Sequence, residues 1–274
     1  MTPPGGIPAG SGTAERGAAE RGAEFGLHRV AHRGYSAVAP ENTLPAFAAA
    51  VRGGATFVEF DVRTTADDVP VVIHDRTVDR TTTGAGHVGD LTLADLATLD
   101  AGAWFSPACS GVRVPTLTET LSLLAPPGPQ LLLEIKPPAT LPEIKTIMEM
   151  VTAAGLHDRT VVQSFDPEVL RLVREAAPAV RRGLLRLRFE ADTLALAEDL
   201  GVVCCNPSTA DVLGDPDTVA ELTARGVDVM PWTANDRAGW PALAAAGVAG
   251  LITDHVAELT GWSSAFVAGQ PGSP

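Results

Sequence analysis

No stretch of the 274 residues is apolar for long enough to cross a bilayer, which takes about 20 consecutive apolar residues. A membrane anchor is therefore not expected. Cysteine is scarce as well. Cys109, Cys204 and Cys205 are odd in number and irregularly spaced, which is no disulfide framework. On a strand, adjacent Cys204 and Cys205 in VVCCNP would point to opposite faces, a poor arrangement for a zinc chelate. All three read as reduced structural residues. Basic charge is short too: 20 Lys and Arg against 33 Asp and Glu give a net charge of −13. That argues against a nucleic-acid binder, which would show a basic stripe, and leaves room for a bound cation. No Gly-x-Ser-x-Gly elbow surrounds any serine, so Ser164 is not read as a nucleophile. The opening MTPPGGIPAGSGTAERGAAERGAEFG lacks the apolar segment of a secretory signal. Its Gly, Ala, Pro and charge content predicts a disordered arm over residues 1–26, and SSAFVAGQPGSP predicts a flexible tail within 261–274. The location expected from these absences is cytoplasmic. Nothing in the sequence speaks to oligomeric state.

What is present is a rhythm. Hydrophobic residues make up 45% of the chain, enough to fill a sizeable core. Short β-rich runs occur at Leu27–Ala31, Thr56–Val62, Leu131–Ile135, Thr160–Ser164, Arg182–Leu187, Val202–Asn206, Asp228–Trp232 and Gly250–Thr253. Helical patterns lie between them at Leu44–Arg52, Leu141–Ala154, Pro167–Ala177, Glu190–Leu200, Pro216–Arg225 and Arg237–Ala246. Asp166-Pro167 and Asp215-Pro216 supply N-caps, and Gly155, Gly201, Gly226 and Gly247 supply stops. Strand alternating with helix implies parallel strands and right-handed crossovers. Eight units predict a (β/α)8 TIM barrel over 27–260, with a doubly wound open sheet as the alternative. One interval breaks the rhythm. Residues 63 to 130 are too long for a single crossover, so 75–115 reads as a small insertion between the second and third main strands.

The polar residues fall at one end of this pattern. The first strand runs into His32-Arg33, FVEFDV carries Glu59 and Asp61, VVIHD ends in His74-Asp75, and LLLEIK carries Glu134 and Lys136. These are the C-terminal ends of strands, the face where barrel active sites form. Glu59 and Asp61 are two apart and point the same way on a strand. With Glu134 they make three carboxylates that would repel unless a cation joined them. An oxygen-only donor set selects a hard divalent ion, Mg²⁺ or Ca²⁺. His32 and His74 can exchange protons near neutral pH, and Arg33 and Lys136 carry the fixed positive charge that binds phosphate. The set suits a phosphodiester: positive charge on the non-bridging oxygens, one histidine as base and the other as acid. Simpler roles stand beside these. Arg33 could salt-bridge Glu59 or Asp61, and His28, His87, His157 and His255 read as structural or exposed. Gly84-Ala85-Gly86-His87-Val88-Gly89 fits a dinucleotide fingerprint literally, but it follows no strand and opens no helix, so it reads as a loop.

Taken in order, the pieces AHRGYSAVAPENTLPAF, FVEFDV, VVIHD, DRTTTGAGHVGDLTLADL, LLLEIKP, VVQSF, MPWTAN and GLITD resemble the glycerophosphodiester phosphodiesterase family. The resemblance covers roughly residues 28–258. It implies a (β/α)8 barrel with a small insertion. It also implies His32 and His74 as the catalytic acid/base pair, and Glu59, Asp61 and Glu134 as ligands of one divalent cation. Arg33 and Lys136 would contact phosphate, Glu41 and Asn42 would share the site, and Trp232 would line the alcohol pocket or simply pack the rim. The implied reaction is hydrolysis of a small glycerophosphodiester, such as glycerophosphocholine, -ethanolamine or -glycerol, to sn-glycerol 3-phosphate and an alcohol. Direct attack by water and prior attack by the glycerol 2-hydroxyl both fit these residues. Relatives also include phospholipase D-like enzymes acting on lysophospholipids, the alternative activity. Asp67-Asp68 stands where many relatives have Asp-Gly; aspartate tolerates turn conformations, so the hairpin is expected to survive.

Overall fold

The computed structural model describes residues 26–268. Its strands are β1 (His28–Ala31), β2 (Phe57–Thr64), β3 (Pro70–Val72), β4 (Gln130–Ile135), β5 (Thr160–Ser164), β6 (Arg181–Leu185), β7 (Cys204–Asn206), β8 (Asp228–Val229) and β9 (Gly250–Thr253). All but β3 are parallel, in the order β8-β7-β6-β5-β4-β2-β1-β9. The seam between the end strands is bridged where Ala249 N–H donates to Val229 O (2.8 Å) and Ile252 N–H to Pro231 O (3.0 Å). The outcome is a nearly closed eight-stranded parallel barrel ringed by helices, with the open-sheet alternative set aside.

The helices among the described residues are α1 (Leu44–Arg52), α2 (Leu93–Leu96), α3 (Leu117–Leu124), α4 (Leu141–Ala153), α5 (Pro167–Ala176), α6 (Thr193–Leu200), α7 (Thr209–Gly214), α8 (Pro216–Ala224), α9 (Trp240–Ala245) and α10 (Val256–Ala268). The caps work chemically: Asp166 accepts from Glu168 N–H, Asp215 from Thr218 N–H, and Gly201 ends α6 at φ 59°. Two expected boundaries need correction. Asp228–Trp232 is a regular strand only over Asp228–Val229, and Trp232 rejoins the sheet as an isolated parallel bridge to Ser208. The tail expected from residue 261 begins no earlier than 269, because α10 continues to Ala268. Trp262 packs its ring 5.6 Å from that of the buried Trp240, and Ser263 is buried. The arm expected over 1–26 lies, apart from Gly26, outside the described residues, as do 269–274. No helix among the described residues is long and apolar enough to cross a membrane.

The period of two along each strand divides the core. Outward-facing Val58, Phe60, Val62, Leu131, Leu133 and Ile135 pack under the helices. Inward-facing Val30, Phe57, Leu132, Val161, Cys204, Met230 and Ile252 fill the barrel. Cys204 sits in the inner cluster and Cys205 in an outer one, so the adjacent pair do face opposite ways. Both are free, and burial pushes the Cys205 thiol up to about 12. One step further along the inward faces, the apolar plug gives way to Glu59, Glu134 and Gln163.

Strand β3 pairs antiparallel with the end of β2, Val62 opposite Val72, through a turn in which Asp68 adopts φ 60°. The hairpin survives without glycine, as its tolerance for turns predicts. Residues 75–115 then add no barrel strand. Val78, Val88 and Leu96 from this segment bury with Val71 and Ile73 in a small cluster of their own.

Candidate active site

Just after β1 and His32, two residues take the chain out of the sheet sharply. Arg33 adopts φ 55° and Gly34 φ 82°. A Cβ on Gly34 would lie 2.8 Å from the backbone carbon of Ala46 in α1, so only glycine fits. The left-handed turn at Arg33, unusual for a residue other than glycine, aims two of its groups at the barrel mouth. Its backbone N–H donates to Glu59 Oε2 (2.7 Å) and its Nε lies 3.5 Å from Asp61 Oδ2.

Glu59, Asp61 and Glu134 are all buried, and each offers an oxygen within 4.8 Å of the others. Asp61 and Glu134 are register partners on β2 and β4. Lys136 Nζ stands between them, 2.9 Å from Asp61 Oδ1 and 2.6 Å from Glu134 Oε1. The electrostatics are lopsided. Burial, then Asp61 and Glu134, pushes Glu59 well above the ordinary carboxylate range. Burial, then Asp61, pushes Glu134 up to about 7. Burial acts on Asp61 as well, but Lys136 and Arg33 outweigh it and hold that carboxyl below its usual range.

Each histidine is oriented by a carboxylate. His32 Nδ1 lies 2.7 Å from Asp254 Oδ1, and Asp254 is itself held by Ser36 Oγ (2.9 Å) and Asn235 Nδ2 (2.6 Å). Against the cost of burial, these partners, His32 foremost, keep Asp254 down to about 2. His74 Nδ1 lies 2.6 Å from Asp75 Oδ1. Its backbone carbonyl accepts from Arg63 Nε at 2.8 Å. Burial lowers the His74 pKa, with Asp61 opposing. With Nδ1 engaged, the Nε2 edge of each ring is the one left for chemistry.

Both rings line one cavity of about 80 Å³, together with Arg33, Glu59, Glu134, Lys136, Gln163, Phe165, Leu185 and Trp232. Trp232 meets Phe165 edge to face at 5.5 Å, and its Nε1 donates to Asn206 O. Gln163 accepts from Asn206 Nδ2 at 2.8 Å. Glu41 and Asn42 contact residues of this cavity from outside its lining. Asn42, buried, donates to Asp61 Oδ2 (2.7 Å) and accepts from Asp61 N–H (3.2 Å), and Glu41 accepts from Arg33 Nη1 (2.7 Å). Neither lines the cavity.

The family comparison agrees with this geometry. The profile of the glycerophosphoryl diester phosphodiesterase family matches residues 32–258. The chain belongs to this family. It is similar to the glycerophosphodiester phosphodiesterase of Caldanaerobacter subterraneus subsp. tengcongensis, 36% identical over 84% of this chain and 95% of that protein. Its fold is similar to that of an Oleispira antarctica phosphodiesterase solved with its product sn-glycerol-3-phosphate, at TM-score 0.82 and 28% identity over 88% of this chain and 98% of that one. A glycerophosphodiester phosphodiesterase from Agrobacterium tumefaciens matches at TM-score 0.74 and 29% identity, over 84% and 97%. As a member, the chain is a phosphodiesterase.

The site also has partners to which the strand-end pattern alone gives no part. Asp254 follows β9 by the same rule that picks out His32 and Glu134, and Asp75 adjoins His74. Arg80 gave no signal, in an aperiodic insertion, and Gln163 gave a weak one, as a polar strand end able to order the groups around it. The three carboxylates also fit a divalent cation. Two oxygens on one Mg²⁺ or Ca²⁺ stand at most about 4–5 Å apart, twice the metal–oxygen distance. Two of the three are held unwilling to ionise without such an ion.

Proposed function

We propose that the protein hydrolyses glycerophosphodiesters to sn-glycerol 3-phosphate and an alcohol, with His32 and His74 as its acid/base pair. The observation that carries this is a single cavity holding two imidazoles, each fixed at Nδ1 by a carboxylate, beside three buried carboxylates and two cationic side chains. Arg33 and Lys136 neutralise the non-bridging phosphoryl oxygens and orient the diester. One imidazole takes the proton of the attacking hydroxyl. The other delivers a proton to the departing alkoxide, so the alcohol leaves neutral. Asp75 and Asp254 fix the tautomers and stabilise whichever ring is protonated. Glu59, Asp61 and Glu134 would hold Mg²⁺ or Ca²⁺, which supplies Lewis acidity at a phosphoryl oxygen when bound. Phe165 and Trp232 offer an apolar wall to the carbon skeleton of the substrate.

A substrate panel tests this. Glycerophosphocholine, -ethanolamine, -glycerol and -inositol are compared with a lysophospholipid, and both the released alcohol and the phosphomonoester left behind, glycerol 3-phosphate or lysophosphatidate, are measured. Turnover of the water-soluble diesters is expected. Turnover of the lysophospholipid alone would replace this reading with the phospholipase D-like one.

A further inference from the structure

Arg80 has no part in the reaction as described. It belongs to the insertion, in the run Asp79-Arg80-Thr81-Thr82-Thr83, and its side chain is 45% exposed. Its guanidinium nevertheless meets two carboxylates at once. Nε donates to Asp75 Oδ2 (2.7 Å) and Nη2 to Asp75 Oδ1 (3.1 Å). Nη1 donates to Glu41 Oε2 and Nη2 to Glu41 Oε1, both at 2.8 Å. Each carboxylate has a second partner inside the cavity. Asp75 Oδ1 is the atom 2.6 Å from His74 Nδ1, and Glu41 Oε1 accepts from Arg33 Nη1 at 2.7 Å. A continuous chain, His74–Asp75–Arg80–Glu41–Arg33, therefore runs around the rim.

We propose that Arg80 is a positioning residue that sets the acid/base ring and the phosphate-contacting guanidinium in one frame. The proposal rests on the roles given above to His74 and Arg33. The geometry explains why an arginine is needed. A planar fork can bind two carboxylates side by side and fix the plane of each, whereas an ammonium is a point charge that fixes neither. Without the fork, Asp75 is free to rotate away from His74 Nδ1, and the imidazole loses both its orientation and its tautomer. Glu41, released on one side, no longer holds Arg33 against the mouth. The insertion is thereby coupled to catalysis through one side chain. An exposed ion pair contributes little to stability, so a folded protein is expected without it.

The test measures kcat and KM on glycerophosphocholine, and the ¹⁵N resonances of the histidine rings, for wild type, R80A, R80K, D75N and R80A/D75N. R80A is expected to lower kcat by ~10–100-fold, the size typical when the outer partner of a working ligand is lost. KM should rise several-fold and the melting temperature stay unchanged. R80K should recover little. Millimolar guanidinium should restore part of the R80A activity. Because Arg80 acts on kcat through Asp75, the double variant should be no slower than the slower single variant. In the spectra, the His74 ring should lose its fixed Nδ1–H tautomer in R80A. A kcat for R80A within twofold of wild type, or for R80K at wild-type level, would overturn the proposal, as would multiplicative losses with unchanged ring resonances. Should R80A not fold, R80K carries the same kinetic and spectral comparison. Should wild type leave glycerophosphocholine intact, the functional reading fails, and the ring spectra alone decide whether Arg80 sets the His74 tautomer.

Discussion

His32→Ala and His74→Ala should each lower kcat by ~10²–10⁴, the range that a positioned acid or base contributes to proton transfer. The fold should hardly notice. His32 and His74 are 17% and 33% exposed at the rim, outside the packed layers, and the carboxylates they leave, Asp254 and Asp75, keep other donors in Ser36, Asn235 and Arg80. Steady-state kinetics beside thermal melts separate the two effects. On the proposed mechanism one ring gives and the other takes a proton, so the double variant should be little worse than either single one. A kcat near wild type in both single variants would remove the histidines from the chemistry.

The second large effect is loss of the cation. Chelator should abolish turnover, and Mg²⁺ or Ca²⁺ should restore it. The electrostatics add a test independent of catalysis. A carboxyl whose folded pKa is raised contributes stability that is fully present below its unfolded pKa and is lost as pH rises through the folded value. Glu134 is raised to about 7 and Glu59 is raised also, both chiefly by burial. The cation-free protein should therefore lose stability between about pH 4.5 and 7, where carboxylates of the unfolded chain are already ionised. Added cation should raise the melting temperature by several degrees, and by more at pH 8 than at pH 6, because protons compete for the same oxygens. Glu134→Gln should behave paradoxically. Removing a repelling buried charge makes the cation-free protein more stable, while the cation-induced shift shrinks and activity falls. A melting temperature indifferent to cation at both pH values would contradict the assignment of Glu59, Asp61 and Glu134 as ligands.

Most of this architecture is written in local signals. The strands are visible because each carries β-branched and leucine side chains between proline, glycine and capping residues. The mouth is visible because Glu59, Asp61 and Glu134 interrupt runs that are otherwise apolar, which burial makes costly without a purpose. What was not legible depends on distant partners. Gly261, Ser263 and Ser264 are weak helix formers and read as the start of a tail. Yet Trp262 packs on Trp240 and Ser263 is buried, so tertiary contact overrides propensity and α10 runs to Ala268. The short helix α7 has too few residues to show a period. Glu41 and Asn42 sit in Pro-Glu-Asn-Thr, close to Arg33 in sequence, and only the fold reveals that they brace Arg33 and Asp61 from behind. Arg80 lies 39 residues from Glu41 in a segment with no periodicity, and its double clamp arises only because the insertion folds back over the rim.

The central claim concerns which bond breaks and what is released. ³¹P NMR of the wild-type protein with sn-glycero-3-phosphocholine and Mg²⁺ reads this directly. The account predicts that the diester resonance is replaced by that of sn-glycerol 3-phosphate, with free choline in equal amount. Appearance of phosphocholine, or an unchanged diester resonance with cation present, would contradict it.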